Sequence, residues 1–442
     1  MMMLAVFLML GGCGDDSVKK DGAPTPEQEC PDGQRWNPIL VKCEDIPVFN
    51  NANNGGNNAN NGTNVNNGTT ANNGTTANNG SNNGTVGNNG SNNSNNMTMP
   101  PLECGPGGLK GKTCAPSGEP LAAADVTLTG VDCDGAPFQV TTRTGSDGTF
   151  EFTDVPAGQH SLKISTGSFE SMRDVFVQKD MVTDLTSAAD KVCLDQNVEI
   201  AVIKGAYDHV EGVLDDLNLT YQIKGGDSFD TISATSMFLS DINAMNAFDL
   251  IFINCGDLYG LLETGLFGDR QTMYNNLRTY VQGGGSLYVA DWSHPFLEGA
   301  FPEMVDFYGS ETNVNENRNG YAPQTITADV LTMDLQALLG ANTATIEFPH
   351  DPNNGVINNN WVVAEGAGAS STIQISGDAQ LCGAFQMGQC NMVRGTQADA
   401  PLLVTYKDPS GGAVVFTSFH NEQQTTLNQD MERILRFLIF QL

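Results

Sequence analysis

Basic residues are scarce in this sequence: 20 Lys and Arg stand against 51 Asp and Glu, and the formal net charge is −31. A surface this acidic repels phosphate backbones and anionic membrane faces, which argues against nucleic acid as a partner. Histidine is rare, with five in 442 residues. No Cys-x-x-Cys or Cys/His spacing of the zinc-binding kind occurs. The sequence therefore predicts no metal site and no cofactor. Long apolar runs are also missing at the N-terminus. The opening stretch has about ten apolar residues, where a membrane-spanning helix needs roughly 20. No Lys or Arg precedes it. Aromatic residues are absent from 50–98.

The short apolar start suits the core of a signal peptide. It runs into Leu10-Gly11-Gly12-Cys13, which resembles a bacterial lipobox. The resemblance implies cleavage before Cys13 and lipidation of that cysteine. Residues 1–12 are then a lipoprotein signal peptide and 13–26 an anchor with a polar spacer. Asp15 and Asp16 fall one place later than the inner-membrane retention position. The expected location is the cell envelope, at the outer membrane or cell surface, with the membrane reached through lipid on Cys13.

Residues 47–103 form a linker dominated by Asn-Asn-Gly with Thr, Ser and Ala. With so few apolar side chains it cannot offset the entropy of ordering, so a disordered tether is expected. Its low-complexity part, 50–98, would have an r.m.s. span of about 40 Å and a stretched reach of about 170 Å.

Ten cysteines suit an oxidising compartment. With Cys13 lipidated, nine remain and at least one is unpaired. Cys30 and Cys43 bracket a small loop, 27–46, in which Trp36 would be the core residue. Cys382 and Cys390 form a second local group. Cys104, Cys114, Cys133 and Cys193 surround the middle of the chain. These eight are the disulfide candidates. Cys255, at the end of an apolar strand, suits a buried thiol.

Beyond the tether about 340 residues remain, enough for two domains with cores of their own. Residues 104–190 alternate apolar and polar positions between Gly, Asp and Pro turns, which predicts a β-sandwich. Asp147 is expected to bond local backbone in one such turn. Ser117-Gly118-Glu119-Pro120-Leu121, the run from Gly145 to Phe152, and Val155-Pro156-Ala157-Gly158 resemble the carboxypeptidase regulatory-like fold. The resemblance implies a prealbumin-like sandwich used as spacer, stabiliser or binding module.

Residues 191–442 alternate strand and helix. Val198–Ile203 and Phe248–Asn254 are apolar strands, and Val210, Val213, Leu214 and Leu217 mark one helix face. A helix is expected over about 270–281, with Met273, Tyr274, Leu277 and Val281 inward, ended by Gly283–Gly285. Ser286–Ala290 is the next strand. Leu402–Tyr406 and Ala413–Phe419 flank a hairpin turn, and a final helix carries Leu427, Met431, Ile434, Leu435 and Leu438. The expected fold class is a multidomain chain: a tether, an all-β sandwich, then a doubly wound, flavodoxin-like α/β domain with an irregular insertion at about 300–400.

Sites in open α/β sheets form beyond the carboxyl ends of the strands. Here those ends read Asn254-Cys255-Gly256-Asp257, Asp291-Trp292-Ser293-His294 and Ser418-Phe419-His420-Asn421-Glu422. Their order resembles the class I glutamine amidotransferase-like superfamily. The match implies that His420 is the base and Glu422 the carboxylate orienting it. At the elbow the family's Gly-x-Cys-x-Gly is replaced by Ala290-Asp291-Trp292-Ser293-His294, with Trp at the turn and no cysteine. Cys255 falls on the oxyanion loop. Glutaminase chemistry is therefore not expected. One expectation is a ligand-binding or scaffolding pseudoenzyme whose small-molecule or protein ligand is unnamed. The alternative is a hydrolase in which Ser293 or Asp291 acts with His420 and Glu422 on an envelope substrate.

Overall fold

A computed structural model describes residues 34–37, 42–45, 104–258, 268–309, 317–348, 360–383, 385–386, 389–390, 392–419 and 428–442. The signal segment, Cys13, Cys30 and the 47–103 tether lie outside the described residues, as do His420 and Glu422. The chain divides into two compact units, Met1–Asn93 and Ser94–Leu442. In the first unit β1 (Gln34–Asn37) and β2 (Lys42–Asp45) form an antiparallel pair, with Trp36 opposite Cys43.

The second unit opens with eight strands: β3 (Pro106–Cys114), β4 (Asp125–Val131), β5 (Pro137–Arg143), β6 (Thr149–Pro156), β7 (Gly158–Thr166), β8 (Phe169–Val177), β9 (Val182–Leu185) and β10 (Val192–Cys193). They make two sheets. In one, β3 pairs with β6, β9 and β10; the other runs β5-β4-β7-β8. Alternate residues point inward: Val126 and Leu128, Leu162 and Ile164, Phe169 and Val177 from the second sheet meet Leu109, Phe150 and Phe152 from the first, all buried. The sandwich at 106–190 fits the prealbumin-like fold. Asp147 Oδ1 accepts from the Thr149 N–H at 3.1 Å and from its hydroxyl at 2.6 Å. Gly148 follows at φ +77°. The side chain thus closes the turn, as its position predicts. Disulfides join Cys104 to Cys133 and Cys114 to Cys193. The second staples β3 to β10, where the two cysteines are already in register.

The following strands are β11 (Ile200–Lys204), β12 (Gln222–Gly226), β13 (Leu250–Ile253), β14 (Ser286–Ala290), β15 (Val305–Phe307), β16 (Gly320–Tyr321), β17 (Gln324–Val330) and β18 (Thr343–Phe348). Then come β19 (Asn360–Trp361), β20 (Ala364–Ala367), β21 (Ser371–Cys382), β22 (Phe385–Gln386), β23 (Gln389–Cys390), β24 (Val393–Lys407) and β25 (Ala413–Thr417). The sheet starts β12-β11-β13-β14-β25, and all four of those pairings are parallel. β11, β13 and β14 are buried along almost their whole length, the pattern of strands covered on both faces.

Beyond β25 the sheet continues through β24 and β21, with antiparallel pairings throughout. Leu403 faces Thr417 across the expected hairpin. The segment expected to be irregular is therefore largely sheet. β17 and β18 form a regular antiparallel pair whose Ile326, Ala328 and Val330 face the core with Ala344, Ile346 and Phe348. Their alternation is ordinary strand patterning. A short helix, Met333–Leu339, separates the two strands in the sequence.

Helix Arg270–Gln282 begins at Asp269, whose carboxylate accepts the Gln271 and Thr272 N–H groups, each at 3.2 Å. It buries Met273, Leu277, Tyr280 and Val281; Tyr280 turns inward more completely than Tyr274. Gly284, at φ +101°, carries the chain out of the helix. Helix Gln429–Ile439 buries Met431, Ile434, Leu435 and Leu438 as expected. Its end docks on the β7–β8 hairpin. Thr166 Oγ1 donates to the Phe440 carbonyl at 2.8 Å, Ser168 donates through its backbone and its hydroxyl to the Leu442 carbonyl, and Phe169 meets Phe440 edge to face at 5.0 Å. Sandwich and large sheet therefore share one continuous apolar core.

Candidate functional site

Four strand ends converge on one buried polar cluster: β11 leads to Asp208, β13 to Asn254 and Cys255, β14 to Asp291–His294, and β25 to Thr417 and Ser418. Charged and hydroxyl groups are rare in cores and have to be satisfied there. The partners of these side chains show what the site can do.

Asp291 is the strained residue of the turn. Its φ is +41°, a left-handed backbone that a non-glycine residue adopts at a cost. The elbow thus falls one place before Trp292, where the sequence match had set it. The Asp291 carboxylate is buried and occupied. Oδ1 accepts the Val362 N–H at 2.6 Å, and Oδ2 accepts the Cys255 thiol at 3.4 Å. Cys255 carries a buried thiol rather than a disulfide. Ser293 is fully buried, and its hydroxyl donates to the Asn254 carbonyl at 2.7 Å. Asp291 and Ser293 are therefore brought to the same turn. His420 and Glu422 follow β25 in sequence, outside the described residues.

Trp292 is buried beneath Arg318, whose guanidinium lies 4.1 Å from its ring centroid. Tyr207 packs edge-on against the indole at 5.4 Å. The indole N–H donates to the Asn360 carbonyl at 3.2 Å, and Asn360 Nδ2 donates to the Arg318 carbonyl at 2.7 Å. Arg318 Nη1 meets Asp257 Oδ1 at 3.3 Å, and Nη2 reaches the Trp292 carbonyl at 3.4 Å. His294 Nε2 lies 3.3 Å from Asn317 Oδ1, and the Asn317 amide donates to the Tyr308 carbonyl at 3.0 Å.

These surroundings set protonation. Burial, with the Arg318 charge nearby, lowers the His294 pKa to about 3, so this imidazole is neutral. Burial and the charge of Asp208 push the Tyr288 phenol well above its usual range; its hydroxyl pairs with Thr417 Oγ1 at 2.9 Å. Burial also raises Asp227, which accepts the Ala206 N–H at 2.9 Å, and the neighbouring Asp257 charge adds to the rise. Glu211 goes the other way. Burial opposes its ionisation, but its own backbone N–H, Lys204 and His209 hold it below the usual carboxylate range.

The crevice between β11 and β13, where the strand order reverses, is closed by backbone: the Tyr207 N–H donates to the Cys255 carbonyl at 3.1 Å. A side chain at Gly205 would collide with that carbonyl. Among the described residues, no group of three or more His, Cys, Asp or Glu gathers to hold a metal.

Sequence reasoning found the strand-end residues and missed Arg318, Asn317 and Asn360. One signal was present: Arg318 is the only Lys or Arg between Arg278 and Arg394.

The disulfide pattern answers most of the cysteine expectations. Cys104, Cys114, Cys133 and Cys193 pair within the sandwich, and Cys382 is disulfide-bonded as well. The side chains of Cys43 and Cys390 lie outside the described residues. Among the described residues, no helix is long and apolar enough to cross a membrane.

No curated protein matches the chain. Two solved structures show limited similarity. The Bacillus anthracis TIE protein is 17% identical over 23% of this chain and 19% of its own, with a TM-score of 0.18. A 9R-lipoxygenase from Cyanothece PCC8801 is 9% identical over 67% of this chain and 42% of its own, with a TM-score of 0.15. The chain thus spans less than half of either protein's length. Residues 108–189 match the model of the carboxypeptidase regulatory-like domain family, which covers the sandwich from β3 through β9.

Proposed function

We propose that residues 191–442 are an amidotransferase-like domain that binds a ligand or partner without nucleophilic chemistry, held in the cell envelope by lipid on Cys13. The parallel strand order β12-β11-β13-β14-β25 supports this relation, because flavodoxin-like sheets use the same order. One observation carries the assignment. The groups at the turn that could attack a substrate are already engaged, Asp291 by Val362 and Cys255, and Ser293 by the Asn254 carbonyl, while Trp292 is closed under Arg318. A nucleophile has to be presented to substrate and paired with a base.

The test is a panel of ester and amide substrates given to wild type and to His420→Ala. The expected result is no turnover by either. Turnover that His420→Ala abolishes would overturn the reading. A hydrolase built on Asp291, with His420 as base and Glu422 orienting it, is the second reading. It is favoured by one observation, the positive φ at Asp291, since backbone strain of this kind gathers at catalytic turns. The anchor has its own test: Cys13→Ala is expected to move the protein from the membrane fraction to the soluble fraction.

A further inference from the structure

Around Trp292 lie three buried polar atoms that have no hydrogen-bond partner among the described residues: Arg318 Nε, Asn360 Oδ1 and His294 Nδ1. Buried polar atoms are nearly always paired, so three in one neighbourhood indicate a missing partner. Arg318 is the informative one. Its side chain is only 7% exposed, and a buried guanidinium needs acceptors for its whole fork. Nη1 has Asp257, whose side chain is 54% exposed. Among the described residues, Nη2 meets the Trp292 carbonyl at 3.4 Å alone, and Nε meets no acceptor. The side-on edge made by Nε and Nη2 is therefore the less satisfied one. The group is also held in place beforehand, by the Trp292 ring beneath it and by Asn360 on its backbone carbonyl. Such preorganisation reduces the entropy lost on binding.

We infer that Arg318 is the recognition residue for a small monocarboxylate, taken side-on by Nε and Nη2. This deepens the binding reading of the same site and rests on it. Planar fork-to-fork pairing is the arrangement in which guanidinium and carboxylate match. The surroundings choose the charge of the ligand. Asp257 already stands on the fork, so a single negative charge is tolerated better than the two of a phosphate monoester. His294, neutral and bonded to Asn317 through Nε2, adds no competing charge.

The experiment titrates the full chain with acetate, butyrate and inorganic phosphate at constant ionic strength, following melting temperature and heat of binding. Acetate and butyrate are expected to bind saturably and phosphate to bind weaker. Arg318→Gln should weaken the carboxylates by about tenfold or more, the loss of a charge-assisted pair. Asp257→Asn removes the resident competitor and should tighten them severalfold; it also decides the matter should Arg318→Gln fail to fold. No saturable response, unchanged binding in Arg318→Gln, weaker binding in Asp257→Asn, or a preference for phosphate would each overturn the inference. None of these depends on turnover. Hydrolysis of the ester panel abolished by His420→Ala would instead defeat the binding reading while leaving the titration intact.

Discussion

Replacing Asp291 sets two local energies against each other. Its φ of +41° is unfavourable for a side chain, and glycine would relieve that strain. A left-handed non-glycine residue costs about 1–2 kcal/mol, and less for Asp or Asn, whose short polar side chains tolerate the region. Against this stands the 2.6 Å bond from the fully buried Val362 N–H to the carboxylate. A hydrogen bond to a charged group contributes about 1.5–3 kcal/mol, and a buried N–H left without an acceptor costs about 1–3 kcal/mol. The bond outweighs the strain. Asp291→Asn keeps an acceptor and tolerates the backbone, so it should lose about 1 kcal/mol. Asp291→Gly gains relief but orphans Val362, a net loss of about 1–2 kcal/mol. Asp291→Ala orphans Val362 without relief and should lose about 3 kcal/mol. Urea unfolding followed by fluorescence and circular dichroism reads this order directly, through midpoints at constant slope. A glycine variant as stable as wild type would refute the reasoning, because strain would then exceed the bond.

Three further outcomes are expected. The folded His294 pKa lies below that of the unfolded chain, so stability is intact above about pH 6.5 and falls as the pH drops toward about 3, by about 1.4 kcal/mol per unit; His294→Gln should flatten that slope in denaturant titrations across the window. Removing the Cys114–Cys193 bridge, with its sequence separation of 79, should cost about 4.5 kcal/mol on the chain-entropy model; calorimetry of Cys114→Ser/Cys193→Ser against wild type checks this, and equal melting temperatures would contradict it. Arg436 links Glu119 of the sandwich to Asp216 and Glu432. With those carboxylates largely solvent-exposed, Arg436→Ala should cost only about 1 kcal/mol and more at low salt than at high salt, measured by urea unfolding.

Local pattern made the sandwich legible in the sequence. Its strands alternate, and its Asp147 turn is closed by its own side chain. The parallel strands were legible for a related reason, as apolar runs with helix periodicity between them. Disulfide partners were not, because pairing Cys114 with Cys193 depends on β10 lying beside β3, a contact made across the whole sandwich. In the site, Asp291 and Ser293 could be found because they end a recognisable strand. Arg318 and Asn360 reach Trp292 from a distant insertion, 26 and 68 residues along the chain. No spacing rule joins residues that far apart. The strain at Asp291 was equally invisible, since a backbone dihedral leaves no mark on composition.

The two sandwich disulfides set how this chain answers a pull. Force entering at Cys104 and leaving past Cys193 does not have to pass through the strands between them. It can run from Cys104 along β3 to Cys114 and cross the sulfur bridge directly to Cys193. Even a fully unfolded sandwich would then release only the ten or so residues from Cys104 to Cys114, about 35 Å of slack. Without that bridge the Cys104–Cys133 disulfide would still carry the pull to Cys133, and the 60 residues beyond it could pay out about 200 Å. Under such a pull the sandwich limits its own extension, and the residues that follow Cys193 keep nearly their original distance from Cys104.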